Sequence, residues 1–418
     1  MRILISTDAF PPDCGGSGWS TYELAKTLRA NGHEIVISRP VFGSAVTGTA
    51  VVHDGFQVRE FRGWAPPVPF VRNYIKNERL YHRYAKALAE IVREERIDLL
   101  HAQHLLSIPA SVRAGRDAHR PVVCTVRDYW WLCYWSDLIH DPSASGLCPA
   151  CTPAMMTRCV QPRAGWAWPV ALAAIPYMRS NLRVKRRALA DADAVIAVSS
   201  AIAADLGSRT DDLRSTRVET IPNPVDFEGI RADARGEALL SEPYAVYVGK
   251  LAPNKGVMKL IPALERSGLR WPVVVVGEGS QRAGLASGAR RAGLDMRMMG
   301  WLPRDETLRW LAHASILVFP SHGPESLSRV LLEAAVLGVP TAAMDTGGTR
   351  DIVQPEQTGL LSTSVEQLGD DVRRLVESAE LRRRLGSAAR LWVEERFAAR
   401  VVVERIEALY RTLLGESR

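Results

Sequence analysis

Two carboxylates, two ammonium groups and a pair of glycines stand at spacings that chemistry could use. Phe319-Pro-Ser-His-Gly-Pro-Glu325 closes an apolar run, and Ser326 to Leu337 reads as a helix carrying Glu333 about two turns in. Glu325 then lies at or just before the helix start, where it could contact a polar ligand or merely cap. Glu333 sits inside Val-Leu-Leu-Glu-Ala-Ala-Val-Leu, where an unpaired carboxylate is costly, so it needs a hydrogen-bonding partner; a pair of ligand hydroxyls is one. Upstream, Tyr247-Val-Gly-Lys-Leu-Ala-Pro-Asn-Lys-Gly256 sends Lys250 and Lys255 off the end of a strand, where open α/β sheets place their ligands. Two ammonium groups there suit a diphosphate; two solvated surface lysines are the plain alternative. Near the start, Gly15 and Gly16 fall between a strand and a helix. They either let backbone amides approach an anion at the helix N-terminus or serve a tight turn needing positive φ.

The elements that must position these groups are legible as apolar runs. Strands are expected at 2–7, 34–39, 99–102, 122–126, 194–198, 245–248, 272–276, 297–299, 316–319 and 341–343, with helical stretches between them. Continuous Val/Ile runs alternating with helices argue for buried parallel sheets, hence an α/β, doubly wound architecture. The pattern restarts after a polar stretch. The expected division is an N-terminal domain at 1–226, a linker at 227–242, a second domain at 243–393 and a helix at 394–418 that returns to the first domain.

Composition bounds the rest. The 418 residues are 47% hydrophobic and 24% charged, which suits a soluble globular chain and excludes a disordered, collagen-like or coiled-coil one. Lys and Arg number 53 against 46 acidic residues, a net charge of +7 that fits anionic partners without choosing among them. The start of the chain lacks a leader pattern and no apolar run is long enough to span a bilayer, so the expectation is a cytoplasmic protein, peripheral on the inner membrane face.

One segment, about 129–187, breaks the alternation. No acidic residue lies between Asp141 and Asp191, and six of the eleven tryptophans fall between Trp64 and Trp168. The stretch Gly165–Arg187 reads as an amphipathic basic surface for a membrane, or else as a buried helix with a solvated basic end. Cys133, Cys148, Cys151 and Cys159 are open to three readings: a structural zinc, free or redox-active thiols, or disulfides.

Taken in order, FPPDCGGSGWSTYELAKTLRANGHEI, AVIAVSS, IPNPVD, VGKLAPNKG, VVVGEGS and the Glu325/Glu333 pair followed by Gly338-Val-Pro340 and Gly347-Gly348 resemble the retaining GT-B glycosyltransferases of family 4, also called group 1. The resemblance spans nearly the whole chain. It implies two Rossmann-like domains facing across a cleft and transfer of a hexose or related sugar from a UDP- or GDP-type donor. The acceptor would be a cell-surface glycan or lipid-linked acceptor, with no catalytic metal or other cofactor. It places Lys250 and Lys255 on the donor diphosphate, Glu333 on the ribose hydroxyls, and Glu325 near the sugar. Gly16, with Gly15 beside it, would face the diphosphate or acceptor. Gly277 with Glu278 and Gly279, and Gly300 with Trp301 and Leu302, would surround the base.

The chain departs from the family pattern in places. Lys250 stands where arginine is usual, and Ser326-Leu327-Ser328 where Gly-Phe-Gly is common, with backbone amides able to serve the sugar. Arg127-Asp128 stands where the family has His-Asp. His104 is the other N-domain candidate for the acceptor side, with Asp128. The competing readings are a transferase acting on a small-molecule natural product and a non-catalytic nucleotide-binding scaffold. No nucleic-acid module is present, and the sequence is silent on oligomeric state.

Overall fold

The computed structural model describes residues 1–12, 14–42, 51–104, 106–141 and 147–415. Asp13 of the glycine motif and residues 142–146 of the Cys/Trp segment lie outside them. The chain divides into two units: 1–136, 151–224 and 399–418 form the first, 137–150 and 225–398 the second.

The first unit is built on eight strands: β1 (Arg2–Ser6), β2 (Glu34–Phe42), β3 (Val51–His53), β4 (Phe56–Gly63), β5 (Leu99–Ala102), β6 (Val122–Val126), β7 (Ala194–Ala197) and β8 (Val218–Thr220). Their order is β3-β4-β2-β1-β5-β6-β7-β8, parallel except for the antiparallel β3–β4 pair. β1 lies centrally, with Ile3 beside Ile35 of β2 and Leu99 of β5. Strands such as Leu99–Ala102 and Val122–Val126 are buried along their whole length, because helices cover both faces. The chain leaves the sheet in opposite directions from β1 and β5, and that reversal opens a crevice beyond their carboxyl ends. Thr7, Asp8 and His104 follow those two strand ends.

The second unit carries β9 (Ala245–Val248), β10 (Val273–Val276), β11 (Met296–Gly300), β12 (Ile316–Phe319), β13 (Thr341–Met344) and β14 (Leu360–Ser362) in the order β11-β10-β9-β12-β13-β14, all parallel. Here the reversal falls between β9 and β12. The loop bearing Lys250 and Lys255 leaves β9, and the loop bearing Glu325 leaves β12, so the topology alone brings both loops to one crevice.

Four strands lack a clear sequence signal: β3, β4, β8 and β14. Three are only three residues long. β4 alternates buried Phe56 and Val58 with exposed Gln57 and Arg59, as befits a strand near the sheet edge. The stretch expected to be linker contains a helix, Phe227–Asp233, whose first turn is capped by Asp226 Oδ1 accepting from Gly229 N at 2.9 Å.

The last helix, Ala399–Leu413, buries Val402, Val403, Ile406, Leu409 and Tyr410 in the core of the first unit with Ile3, Leu24, Leu28 and Ile196. A short polar chain crosses that core. His101 Nδ1 lies 2.5 Å from the Tyr410 hydroxyl, and its Nε2 lies 2.7 Å from Thr125 Oγ1. Burial and the nearby Arg127 charge push His101 down to about 3, so the ring is neutral and structural. Tyr410→Phe should therefore cost about 1–3 kcal/mol by leaving the buried ring nitrogen without its partner. Urea unfolding of the full chain reads this, and an unchanged midpoint would show that His101 does not depend on the pair.

Candidate functional site

In the second unit the β9 loop and the β12 loop are tied together largely through their backbones. Asn254 O accepts from His322 N (3.3 Å) and Gly323 N (2.8 Å), and Ser321 Oγ donates to it at 3.3 Å. Gly256 has φ 62°, and a Cβ there would lie 2.1 Å from Pro320 O, so only glycine lets the loops close this tightly. A third loop, after β13, clamps the second. Gly348 N donates to Glu325 O at 2.7 Å, Thr346 Oγ1 donates to Gly323 O at 2.8 Å, and a Cβ on Gly347 would meet Glu325 O at 2.1 Å.

These ties fix Glu325. Its buried carboxylate accepts at Oε1 from Lys255 Nζ (2.5 Å) and from Ser321 Oγ (2.5 Å). Lys255 is partly exposed, so its ammonium is anchored on one side and reachable on the other. Lys250, at the end of β9, is exposed, and its carbonyl accepts from the Tyr247 hydroxyl at 3.1 Å. Gly277 N bonds to Gly300 O at 2.7 Å, holding the ends of β10 and β11 together; Trp301 beside them is largely exposed and Leu302 half-buried. Ser326 is half-buried, Leu327 and Ser328 buried, and Ser328 O accepts from Leu332 N.

Glu333 differs from expectation in place and in partner. The helix begins at Arg329, not Ser326, because residues 324–328 form the Glu325 loop. Glu333 is thus about one turn in. It is also already held: Arg304 Nη1 (2.7 Å) and Arg329 Nε (3.0 Å) both donate to Oε1. Two guanidinium groups satisfy a buried carboxylate that the sequence left without a protein partner. Arg329, four residues before Glu333, is readable as its helical neighbour; Arg304 comes from a distant helix and is not. His322 also carries no sequence signal. Burial, with the Lys259 charge nearby, lowers its pKa, and its buried Nδ1 has no hydrogen-bond partner.

In the first unit Gly15 and Gly16 open a fifteen-residue helix, Gly16–Ala30. Neither has positive φ, so the tight-turn alternative does not hold, and a Cβ on Gly15 would touch nothing within 4 Å. The glycine that packing demands is Gly18, where a Cβ would fall 2.5 Å from Cys14 Sγ. Arg127 is committed inside the unit: Nε donates to Asn223 Oδ1 (2.8 Å), Nη1 to Thr21 Oγ1 (2.9 Å) and to Ser17 O (3.3 Å), and Nη2 to Gln103 Oε1. It steadies the start of the glycine helix.

Asp128 Oδ1 accepts from Trp130 N at 3.0 Å, and burial raises this carboxyl. His104 Nδ1 lies 2.9 Å from Thr7 Oγ1, its Nε2 is buried without a partner, and burial with the Arg127 charge pushes it down to about 3. A neutral imidazole can accept or donate one hydrogen bond; it is not a cationic anchor. Beside it stands Asp8, which no sequence motif singles out. Burial, reinforced by the Asp128 charge, lifts it to about 7, and Oδ1 has no hydrogen-bond partner. Asp8 opens on a cavity of about 160 Å3 walled by Phe42, Phe61, Lys76, Tyr84 and Leu106.

The six cysteines form no disulfide, and among the described residues no three His, Cys, Asp or Glu side chains group so as to hold a metal ion. Cys159 Sγ accepts from Arg163 Nη1 at 3.1 Å, and Cys148 Sγ donates to Ala150 O at 3.4 Å.

The family described as Glycosyltransferase Family 4 matches residues 14–228, just over half the chain, and Glycosyl transferases group 1 matches residues 231–392. The chain is 29% identical over 403 residues to a GDP-mannose-dependent alpha-mannosyltransferase of Mycobacterium tuberculosis, covering 93% of this chain and 91% of that protein. It is 27% identical over 436 residues to the protein of the same description from Mycolicibacterium smegmatis, covering 99% and 98%. Among solved structures it is similar to Anabaena HepE in complex with UDP, with a TM-score of 0.68, 18% identity and coverage of 99% and 100%. That last likeness speaks to the fold.

The raised carboxyl of Asp8 has a consequence for stability. Folding lifts it from the ordinary 3.8 to about 7, so the folded chain holds the proton more tightly than the unfolded one. Its contribution is full below the ordinary value and is lost as pH rises through 7, at no more than about 1.4 kcal/mol for each step of one in pH between those two values. Asp8→Asn should melt close to wild type near pH 4 and above it near pH 8. Parallel melting curves for the two proteins across that range would show that folding does not tighten the Asp8 proton.

Proposed function

The chain belongs to the group 1 glycosyltransferases of the GT-B type, and from that premise we propose that it moves a sugar from a nucleoside-diphosphate donor of the GDP type, with retention at the anomeric carbon and without a catalytic metal. The observation that carries the reading is the second-unit crevice, where the anchored Lys255 ammonium and the doubly held Glu333 carboxylate stand on the two loops and helix that leave β9 and β12. The end-to-end similarity to GDP-mannose-dependent enzymes supports guanine as the base and mannose as the first sugar to try.

The chemistry follows from charge. As the bond from sugar to diphosphate breaks, negative charge gathers on the leaving group, and cations fixed beforehand stabilise it without reorganising. Lys255 is such a cation, because Glu325 and the clamped loop hold it; Lys250, at the strand end, is the second. Glu333 accepts from the ribose hydroxyls, its orientation set by Arg304 and Arg329. Glu325 reaches the sugar side through the same carboxylate that steadies Lys255, and the amides of Ser326, Leu327 and Ser328 lie next in the chain. Gly277, Gly300 and Leu302 border the base. The leaving phosphate oxygen takes the acceptor proton, which accords with a first unit whose His104 ring is pushed toward neutrality and whose Asp8 carboxyl is lifted to about 7.

On the acceptor side Gly15 and Gly16 begin a helix, with room beside Gly15. His104 supplies a neutral ring, and Asp128 and Asp8 supply carboxyls whose hold on a proton burial strengthens, groups suited to hydroxyls. We read the acceptor as a glycan or lipid-linked glycan met at the inner face of a membrane.

Thermal melts with GDP, UDP and their mannose and glucose adducts test the donor reading. GDP at a hundredfold excess over its dissociation constant should stabilise by about 2.7 kcal/mol. Lys255→Ala and Glu333→Ala should abolish most of that gain, with the unliganded melt of each variant checking the fold. No stabilisation of the wild type by any nucleotide overturns the donor assignment. The anomeric configuration of the product, read by NMR from GDP-mannose turnover, decides retention.

A further inference from the structure

The first unit exposes apolar side chains that its own core does not use. Trp166 is 95% exposed and Val170 79% exposed, and they stand four residues apart on the successive helical turns Gly165–Ala167, Trp168–Ala171 and Leu172–Ala174, which puts them on one side. A second run does the same. Trp64 is 74% exposed, and Val68, Val71 and Tyr74 follow it into the helix Pro69–Tyr74 at three-residue spacing, all of them exposed. The runs meet: the Tyr74 and Tyr177 rings pack edge-on with centroids 5.4 Å apart, and Tyr177 belongs to the helix Ile175–Ala190 that continues directly from the Trp166 turns.

The charge around them is mostly positive. Arg72, Arg79, Arg179 and Arg183 are exposed on the two segments and Arg158 on the helix before the Trp166 turns; residues 64–79 contain one acidic side chain, Glu78, and residues 142–190 none. Soluble chains seldom leave two tryptophans and three valines in water together, and an apolar face rimmed by arginine matches an interface of acyl chains under anionic headgroups. No helix among the described residues is long and apolar enough to cross a membrane, so the contact would be lateral.

One continuity ties this face to the acceptor side. The helix Pro69–Tyr74 runs on into the π-turn Ile75–Arg79, and Lys76 of that turn lies over the Phe42 ring at 4.1 Å and lines the cavity on which Asp8 opens. The exposed segment is therefore one wall of that cavity.

We propose that the face formed by Trp64, Val68, Val71 and Tyr74 with Trp166 and Val170 docks on an anionic bilayer surface and brings the Asp8–Lys76 cavity to molecules held in that bilayer. The proposal rests on the functional reading above only for what those molecules are; the docking itself does not need transfer to occur.

Sedimentation of the full chain with vesicles tests it. Mixed phosphatidylcholine and phosphatidylglycerol vesicles should carry the protein down, phosphatidylcholine alone should do so poorly, and salt should weaken the binding. The double variant Trp166→Ser/Val170→Ser should lose binding. Each of Arg179→Gln and Arg183→Gln should weaken it about fivefold. Leu391→Ser, which removes an exposed apolar side chain of the second unit, should change nothing. A nucleotide-induced rise in melting temperature retained by Trp166→Ser/Val170→Ser separates loss of docking from loss of the donor site or of the fold. Absence of sedimentation, or binding indifferent to the double variant, overturns the proposal. So does a concentration-dependent dimer abolished by that variant, since the face would then belong to a second copy of the chain.

Discussion

A carboxylate without water must be held by its own protein, and most of the second unit's crevice follows from how Glu325 is held. Its two donors, Lys255 and Ser321, come from different loops, so satisfying one buried charge ties the end of β9 to the end of β12. The backbone repeats the tie through Asn254, and the β13 loop closes it through Gly348 and Thr346. Gly256 and Gly347 are glycine because those approaches leave no space for a Cβ. The cation that an anionic leaving group would meet is thereby fixed by the same bonds that hold the loops, and preorganised charge of this kind is what transfer chemistry draws on.

Charge is treated oppositely in the two units. In the second, Lys255 keeps an accessible side and Glu333 is oriented by two arginines, so opposite charges pair at a crevice. In the first, Arg127 commits its donors to Asn223, Thr21, Ser17 and Gln103, while His101 and His104 are driven toward neutrality and Asp8 toward its acid form. Hydroxyl acceptors need neutral donors and acceptors more than fixed charge; a diphosphate needs the reverse. The division supports the proposal that one unit reads the donor and the other the acceptor.

The sequence made the frame plain where strands are buried on both faces, since unbroken Val/Ile runs have few other uses; β5, β6, β9 and β12 were legible to the residue. It hid β4, whose alternation suits an edge, and β14, too short to show a period. Lys250, Lys255 and Glu325 announced themselves by standing at strand ends, and Glu333 by lying inside an apolar helix. Their partners did not: Arg304 meets Glu333 across 29 positions, and no local pattern foretells it. Asp8 was silent for the same reason. A carboxylate after β1 is unremarkable until Asp128 and the walls of a cavity close around it.

The acid-free stretch shows the limit of composition as evidence and where geometry takes over. From residue types alone, 165–187 could be a buried helix with a solvated end or a surface for lipid. The fold splits the question. Helix Ile175–Ala190 buries Met178, Leu182 and Leu189 in the interior of the first unit, so for that half the plain reading is right. The turns before it, which switch between 3-10 and α geometry, form no continuous amphipathic helix and leave Trp166 and Val170 outside. A distant segment, Trp64–Tyr74, then supplies the rest of the apolar face, which no window along the chain could have joined to it. The face exists because two breaks in helical regularity fall next to each other in space, and exposed arginines flank both in sequence.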